Sequence, residues 1–315
     1  MLNRRHIRLK TLQSMYAWYS SESKDLEKGE KELFRNIEKM TEVYVLSLKL
    51  LDDLVQYAEL YADEQDSKMM ATIQGTKVSR KFSGNYFSVY LNGNQEYNQL
   101  LKKFKIKNQL LDSDMLRKVF GEFAKTEAYQ KYINQELHSS EEDLQLIMYL
   151  YKQIVQSSEF VSSFLDEKSM YWESDKELVG AAVVKTIKEV FKEKDHFRLI
   201  SISKDWEEDW HFALTLFRKS IVNDELYSDM IQERTKHWDV ERIAQVDILL
   251  LKMAMAELAH SESIPVKVSI NEYIELAKNF STPKSNVFVN GILDSISKEM
   301  KEKGMIHKTG RGLLE

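Results

Sequence analysis

The sequence predicts an all-α protein, and three observations support this fold class. Only 10 glycines and 2 prolines occur in 315 residues, so few positions break a helix. Leu, Lys, Glu and Met, which favour helices, are frequent. Apolar residues recur at spacings of three and four over most of the chain, which is the period of an amphipathic helix. With 43% hydrophobic residues, the chain can bury a sizeable core.

Composition also excludes several classes of protein and site. The chain has no cysteine, which excludes disulfides, zinc–cysteine sites and thiol catalysis and favours a cytoplasmic location. No apolar run approaches the roughly 18 residues that a membrane span needs, and no apolar segment follows the charged N-terminus as in a signal peptide. We therefore expect a cytoplasmic protein without a membrane partner. The net charge of −5 indicates no general affinity for nucleic acid.

Residues 4–20 predict the first amphipathic helix, with Leu9, Leu12, Tyr16 and Tyr19 on one side. The helix begins with a basic cluster, which consists of Arg4, Arg5, Arg8 and Lys10. Cations in a first turn oppose the helix dipole, so the cluster suggests an external anion such as an RNA phosphate. A solvated basic terminus is the alternative that the residues alone leave open.

The middle of the chain predicts further helices around one irregular stretch. Residues 30–62 have the pattern of a long core helix, and helical patterns return over residues 96–204. Between them, Gly75, Gly84 and Gly93 favour a long loop near 75–95. Its aromatic residues either stack on RNA bases or, as the better interpretation, cover a helical core.

The last third predicts three helices with marked boundaries. Residues 243–258 are apolar on nearly every side except at Asp247, which indicates a buried helix and a carboxylate that needs a partner. Ser269 and Glu272 have capping-box spacing, and Thr282-Pro283 has the pattern of a helix start. Gly291 lies inside the last helix, where it predicts close approach of another helix.

No pattern indicates catalysis. The seven histidines are dispersed, and metal-binding, phosphate-binding and nucleophile-elbow motifs are absent from the sequence. The acidic residues at 205–209 suit a helix N-terminus without any active site. We therefore expect a non-enzymatic protein without a cofactor or a bound metal.

Three ordered blocks resemble the C-terminal signature of the NusB family of bacterial transcription antitermination factors. They are VERIAQVDILLLKMAMAEL, IPVKVSINEYIELAKNF and FVNGILD, and RRHIRLKTLQSMYAW is similar to the family's opening helix. The resemblance implies a NusB-like helical bundle formed by residues 1–62 and 205–300. A helical insertion over 63–204, with the long loop near 75–95, would interrupt it, and a flexible basic tail over 301–315 would follow.

The resemblance also implies partners and site residues. The family binds the single-stranded boxA element of nascent ribosomal RNA together with the ribosomal protein NusE, within the antitermination complex of RNA polymerase. The positions expected to contact RNA are Arg4, Arg5, Arg8, Lys10, Lys278, Ser281, Lys284 and Ser285. Tyr16 and Asp247 fall on the family's protein-partner positions. For Asp247 the residues leave an equal alternative, an internal cap or a salt bridge to Arg242 or Lys252.

Two other functions follow from the same patterns. A helical protein-interaction scaffold would keep the fold without binding RNA. A NusB-like domain associated with an RNA methyltransferase would require a Rossmann-like domain downstream. We favour transcription antitermination through boxA RNA.

Overall fold

Helices form nearly all of the regular structure in the computed structural model, which describes residues 2–70, 79–107, 111–135, 139–236 and 243–313. These ranges contain α1 Arg4–Ser20, α2 Leu26–Met70, α3 Tyr86–Gly93, α4 Gln95–Lys103, α5 Ser113–Ala124, α6 Glu127–Asn134, α7 Ser140–Tyr149, α8 Glu159–Lys168, α9 Trp172–Glu193, α10 Trp206–Val222, α11 Asp224–Thr235, α12 Gln245–His260, α13 Val266–Phe280 and α14 Ser285–Glu302. A π-helical turn covers Leu150–Val155, and short 3-10 helices cover Lys81–Gly84, Lys194–His196 and Gly310–Leu313. The predicted all-α fold class is confirmed. Within the described ranges, no helix is long and apolar enough to cross a membrane.

The two ends of the chain, Leu2–Ile37 and Ser203–Glu315, form one compact unit, which we call the terminal unit. Its central helix is α12, and α1, α10, α11, α13 and α14 pack around it. Every side chain from Leu249 to Met255 is at most 5% exposed. The buried position predicted for this helix is therefore confirmed, because a helix with apolar residues on all sides needs neighbours on all sides.

Residues Glu38–Ile202 form a second compact unit, which we call the middle unit. In it α9 packs against α3, α7 and α8. The Tyr44 hydroxyl lies 2.5 Å from the hydroxyl of Thr186 and so joins α2 to α9. An aromatic cluster surrounds Phe120 and contains Tyr57, Tyr61, Phe82, Phe123 and Tyr129. The boundaries between the units fall at 37/38, inside α2, and at 202/203, whereas the sequence suggested boundaries at 62/63 and 204/205.

The long loop predicted near 75–95 is not present in the described part of that stretch. From Lys81 onward it consists of a 3-10 turn followed by α3, and it ends at the first residue of α4. Gly75 lies outside the described residues. Two asparagines start these short helices, since Asn85 accepts from the Phe87 amide and Asn94 from the Tyr97 amide. Local capping and burial of Phe87 outweigh the weak helix propensity of the segment.

Two predicted helix features near the C-terminus are also corrected. α13 begins at Val266 after Pro265, so Ser269 and Glu272 lie inside it and form no capping box. Their side chains bind Glu257 and Arg5 instead, and these long-range partners replace the local cap. Gly291 is not a point of close approach, because a Cβ atom added there meets nothing within 4 Å.

Residues 301–313 are not a free tail. α14 continues to Glu302, and the following segment returns to the connection between α12 and α13. There the Thr309 amide donates to the carbonyl oxygen of Glu262 at 3.1 Å, and Lys308 Nζ donates to that of Ser261 at 2.8 Å. These two hydrogen bonds, one from a backbone amide and one from a lysine side chain, hold the segment against the connection between α12 and α13.

Candidate functional site

Arg8 is deeply buried among the N-terminal cations. α1 packs on α10 and α12, and the Arg8 side chain between them is 2% exposed. Its Nε and Nη2 atoms donate to the two carboxylate oxygens of Glu257, both at 2.7 Å. This two-pronged geometry is the strong form of an arginine–carboxylate pair. Arg8 therefore serves as an internal ion-pair partner.

Glu257 is fully enclosed and accepts two further hydrogen bonds. Ser269 Oγ donates to Oε1 at 2.6 Å, and the Tyr273 hydroxyl donates to Oε2 at 2.9 Å. Burial opposes the charged form of Arg8, but the hydrogen bond and charge of Glu257 outweigh it and raise the pKa of Arg8. Burial also opposes the charged form of Tyr273, and because that form is an anion, burial raises the pKa of Tyr273 well above its usual range. The buried charges are thus paired and hydrogen-bonded, as such charges must be.

Arg4 and Arg5 also face carboxylates of the chain itself. Arg5 donates from Nε and Nη2 to Glu272 at 2.9 and 2.8 Å, and its hydrogen bond lowers the pKa of Glu272. Arg4 pairs with Glu208, and its guanidinium carbon lies 4.3 Å from the ring centre of Phe212. The cations that oppose the α1 dipole are therefore balanced from within, and they require no external anion.

Burial corrects part of the predicted RNA-contact set. Lys10 is 1% exposed and Arg8 is 2% exposed, so neither side chain reaches the surface where a phosphate would bind. Arg4 is about one-third exposed and Arg5 is 54% exposed. Of the four N-terminal cations, Arg5 is thus the one most open to an external ligand.

Asp247 is buried and lies next to residues that the sequence assigned to a different role. Its Oδ2 atom accepts a hydrogen bond from Ser285 Oγ at 2.7 Å. Ser285 Oγ also lies 3.0 Å from the hydroxyl of Ser281 and 2.8 Å from that of Thr282. With side-chain exposure of 4% and 2%, Asp247 and Ser285 are internal residues that connect the N-terminal ends of α12 and α14.

A protein-partner position requires an exposed Asp247, and Asp247 is buried. The internal alternative applies, but with a partner, Ser285, other than the predicted Arg242 or Lys252. Lys252 pairs with Asp224 rather than with Asp247, and Arg242 lies outside the described residues. Within the described part of the chain, Oδ1 of Asp247 has no hydrogen-bond partner. The sequence showed that this carboxylate needs a partner but did not show that the partner is a serine 38 residues away.

The junction of α13 and α14 keeps two exposed cations, Lys278 and Lys284, beside the half-buried Ser281. Arg5 reaches the same helix, because its partner Glu272 lies on α13 six residues before Lys278, about 9 Å along the axis. We call Arg5, Lys278, Ser281 and Lys284 the basic edge. It contains the most exposed cations among the positions that the sequence predicted for RNA.

Tyr16 lies on an apolar surface that the sequence did not fully predict. It is 47% exposed, and Tyr19 one turn later donates to Asp224 at the start of α11. Val222 and Leu226, which are 64% and 44% exposed, bracket that aspartate. We call Tyr16, Tyr19, Val222 and Leu226 the Tyr16 surface. Exposed apolar residues on both sides of this helix contact make the surface a candidate protein-interaction site.

Comparison with known proteins gives a family context for the residues of α9 to α14, and α1 lies outside the family match. The model of the NusB family matches residues 173–298, so the match begins with α9, inside the stretch that the sequence assigned to an insertion. The chain is 44% identical over 103 residues to a transcription antitermination protein NusB of Salinibacter ruber, covering 33% of this chain and 64% of that protein. It is 42% identical over 104 residues to the protein of the same name from Chloroherpeton thalassium, covering 33% and 49%.

A third relative is covered almost completely. The NusB of Geotalea uraniireducens is 35% identical over 133 residues, which are 42% of this chain and 89% of that protein. The chain spans less than two thirds of the length of the first two relatives. No solved structure gives a significant match.

Proposed function

The chain belongs to the NusB family, and from this premise we propose that it is a transcription antitermination factor that binds boxA RNA. It would bind the boxA element of nascent ribosomal RNA together with the ribosomal protein NusE. The complex would then allow RNA polymerase to read through terminators. In this function the protein supplies binding surfaces and carries out no catalysis.

The accessible cations of the basic edge are the observation that carries the RNA part of the proposal. Arg5, Lys278 and Lys284 are exposed at one helix and its C-terminal junction, where they can neutralise phosphates of a single strand. The hydroxyl of Ser281 adds a hydrogen-bonding group beside them. Asp247 contributes indirectly, because its bond to Ser285 fixes the start of α14.

For NusE we propose the Tyr16 surface. Its exposed aromatic and aliphatic side chains suit a protein partner better than a phosphate chain. Lys252 and Asp224 beneath it fix the position of Tyr19, since Lys252 pairs with Asp224 and lies 5.3 Å from the Tyr19 ring centre. Asp247 is buried away from solvent, so it supports the fold of this unit and is not proposed as a contact.

Fluorescence anisotropy with labelled boxA RNA, at several salt concentrations and with and without NusE, tests the RNA part. The logarithm of the binding constant falls linearly with the logarithm of the salt concentration, with a slope of roughly −0.7 per neutralised phosphate of a single strand. Three neutralised phosphates therefore give a slope of about −2. We expect the variant Arg5→Ala/Lys278→Ala/Lys284→Ala to bind at least tenfold more weakly and with a slope near zero. Lys301→Ala is the matched control, because this exposed lysine lies 17 residues from Lys284, about 26 Å along α14. Unchanged affinity of the triple variant would show that the basic edge is not the RNA site.

A pull-down or calorimetric titration with NusE tests the protein part. Val222→Asp places a charge in the Tyr16 surface and should weaken NusE binding at least tenfold. Val89→Asp adds the same charge at a 57% exposed valine of the middle unit and should leave NusE binding unchanged. Retained NusE binding without any boxA binding would favour the interaction-scaffold function instead.

A further inference from the structure

The middle unit contains a partly open cavity of about 230 Å³ that the antitermination function does not use. Residues of α2, the π-helical turn, α8 and α9 line it. Its floor is apolar and includes Leu50, Val155 and Leu165. One wall is the Trp172 indole, which is 9% exposed and donates from Nε1 to Ser162 Oγ at 3.2 Å.

Polar groups complete the cavity on one side. Ser47, Tyr151 and Gln156 line it. Burial raises the pKa of Tyr151, and the side-chain hydrogen bond from Gln156 offsets only part of this rise, so the phenol stays neutral and bonded to Gln156. Gln156 offers both an amide donor and a carbonyl acceptor, and the hydroxyls can act as either. An apolar floor with a few convergent polar groups is the usual composition of a small-molecule site.

Two locally unfavourable features shape this cavity. Leu150–Val155 form a π-helical turn, a rare geometry that is frequent at functional sites, and this turn contributes Tyr151 and Val155 to the wall. Gly180 lies inside α9, where glycine costs about 1 kcal/mol relative to alanine. A Cβ atom there would lie 2.6 Å from Nε2 of Gln156. The Gln156 amide fits against α9 only because Gly180 has no side chain.

The charges at the cavity indicate a neutral ligand. Among the described lining residues, Lys176 is the one cation and Glu177 the one carboxylate. Lys176 also pairs with Glu173, at 2.5 Å between Nζ and Oε1. A phosphate placed here would meet carboxylates as well as the lysine, and this disfavours an anion.

We propose that this cavity binds a purine-type nucleobase, either free or as part of a nucleoside or an RNA strand. An apolar cavity of about 150 Å³ accommodates one benzene ring. A volume of about 230 Å³ is half as large again and fits two fused rings. The Trp172 wall provides a surface against which a base stacks, while Gln156 and Tyr151 provide hydrogen bonds for its polar edge. The sugar of a nucleoside would extend through the open side of the cavity.

Saturation-transfer NMR and calorimetry on the full chain test the proposal, with adenine, adenosine and a short oligoadenylate as probes. Ser162→Phe fills the cavity and should weaken binding at least tenfold, whereas Ser163→Phe alters the neighbouring exposed position and should not. Gly180→Ala displaces Gln156 and provides a second variant in case the first one misfolds. Its matched control is Gly121→Ala in α5, where an added Cβ meets nothing within 4 Å.

The three probes distinguish the sources of the base. Binding of adenine or adenosine that Ser162→Phe or Gly180→Ala weakens, with both controls unchanged, supports the proposal for a free ligand. The same pattern with the oligoadenylate alone supports it for an RNA strand. Absence of saturable binding to all three probes overturns it, and so does equal binding by the filled variants. Indole that binds as tightly as adenine would also overturn it, because indole lacks the polar edge of a base.

Discussion

At the scale of single residues, two carboxylates of α12 show how burial changes the role of a charged group. Glu257 lies against a cation, so its charge is compensated by Arg8 and by two hydroxyl donors. Asp247 lies against the hydroxyl of Ser285. Both carboxylates stabilise helix contacts, and neither is exposed to a partner molecule.

The Arg8–Glu257 pair yields a stability prediction. Arg8→Ala leaves the Glu257 carboxylate buried without its cation, and we expect the free energy of unfolding to fall by about 3–5 kcal/mol. Arg5→Ala removes an exposed arginine with a similar two-pronged bond, and we expect a loss below about 1 kcal/mol. Urea denaturation measures both changes, and equal losses would contradict the internal role of Arg8.

The Asp247–Ser285 bond yields a second prediction. Ser285→Ala leaves a buried carboxylate oxygen without its donor, and we expect a loss of about 1–3 kcal/mol. Asp247→Ala should cost a similar amount, and the double variant should lose less than the sum because the two residues share one interaction. Asp294→Ala, which breaks an exposed pair with Lys298, serves as the control and should change stability by less than about 0.5 kcal/mol. Additive losses in the double variant would show that the two side chains act independently.

At the scale of helices, glycine is required at one position and replaceable at another. Gly29 lies in the first turn of α2, where an added Cβ would lie 2.7 Å from Cδ1 of Trp18 and 2.8 Å from Cζ of Phe217. Gly291 lies inside α14, where an added Cβ meets open space. The contacts of the helix, and not the glycine itself, therefore decide whether a side chain is tolerated.

Alanine substitutions at these two glycines test this contrast. Gly29→Ala overpacks two rigid aromatic rings and should destabilise the protein by about 1–3 kcal/mol. Gly291→Ala gains helix propensity without a clash and should stabilise it by about 0.5–1 kcal/mol. Thermal unfolding followed by circular dichroism measures the two shifts in Tm. A lower Tm for Gly291→Ala would mean that α14 has a neighbour at this position after all.

At the scale of the whole molecule, two units each have a core of their own. The core of the terminal unit surrounds α12, and that of the middle unit contains the aromatic cluster around Phe120. In each unit, a residue of α2 contacts a residue more than 150 positions later in the chain. Phe34 packs edge-on against Trp210 in the terminal unit, and the Ile200 amide donates to the Tyr44 hydroxyl in the middle unit.

Separate cores predict separate local unfolding. Phe120→Ala empties a site that is 0% exposed, and we expect a loss of about 3–5 kcal/mol in the middle unit. Hydrogen exchange measured by mass spectrometry should then rise within Glu38–Ile202 while the amides of α12 stay protected. Phe217→Ala, the reciprocal variant in the terminal unit, should show the opposite pattern. Exchange that rises equally in both units for either variant would show a single cooperative unit.

The sequence alone determined the all-α fold class, the buried position of α12 and the family resemblance. These features depend on the spacing of apolar residues and on contiguous motifs, which are local properties of the chain. The weakly helical stretch that contains α3 was mispredicted as a loop, because the Asn85 cap and burial of Phe87 overcame its low helix propensity.

Only the tertiary structure decided which partner each charged residue has. Arg8 and Glu257 are 249 positions apart, and charge sign or helical spacing cannot select one carboxylate among 50 acidic residues over that separation. The pairing arises because α1 and α12 pack side by side and exclude water, which makes an unpaired charge between them costly. The basic cluster thus divides into the buried Arg8 and Lys10, the partly exposed Arg4 that pairs with Glu208, and the exposed Arg5 beside α13.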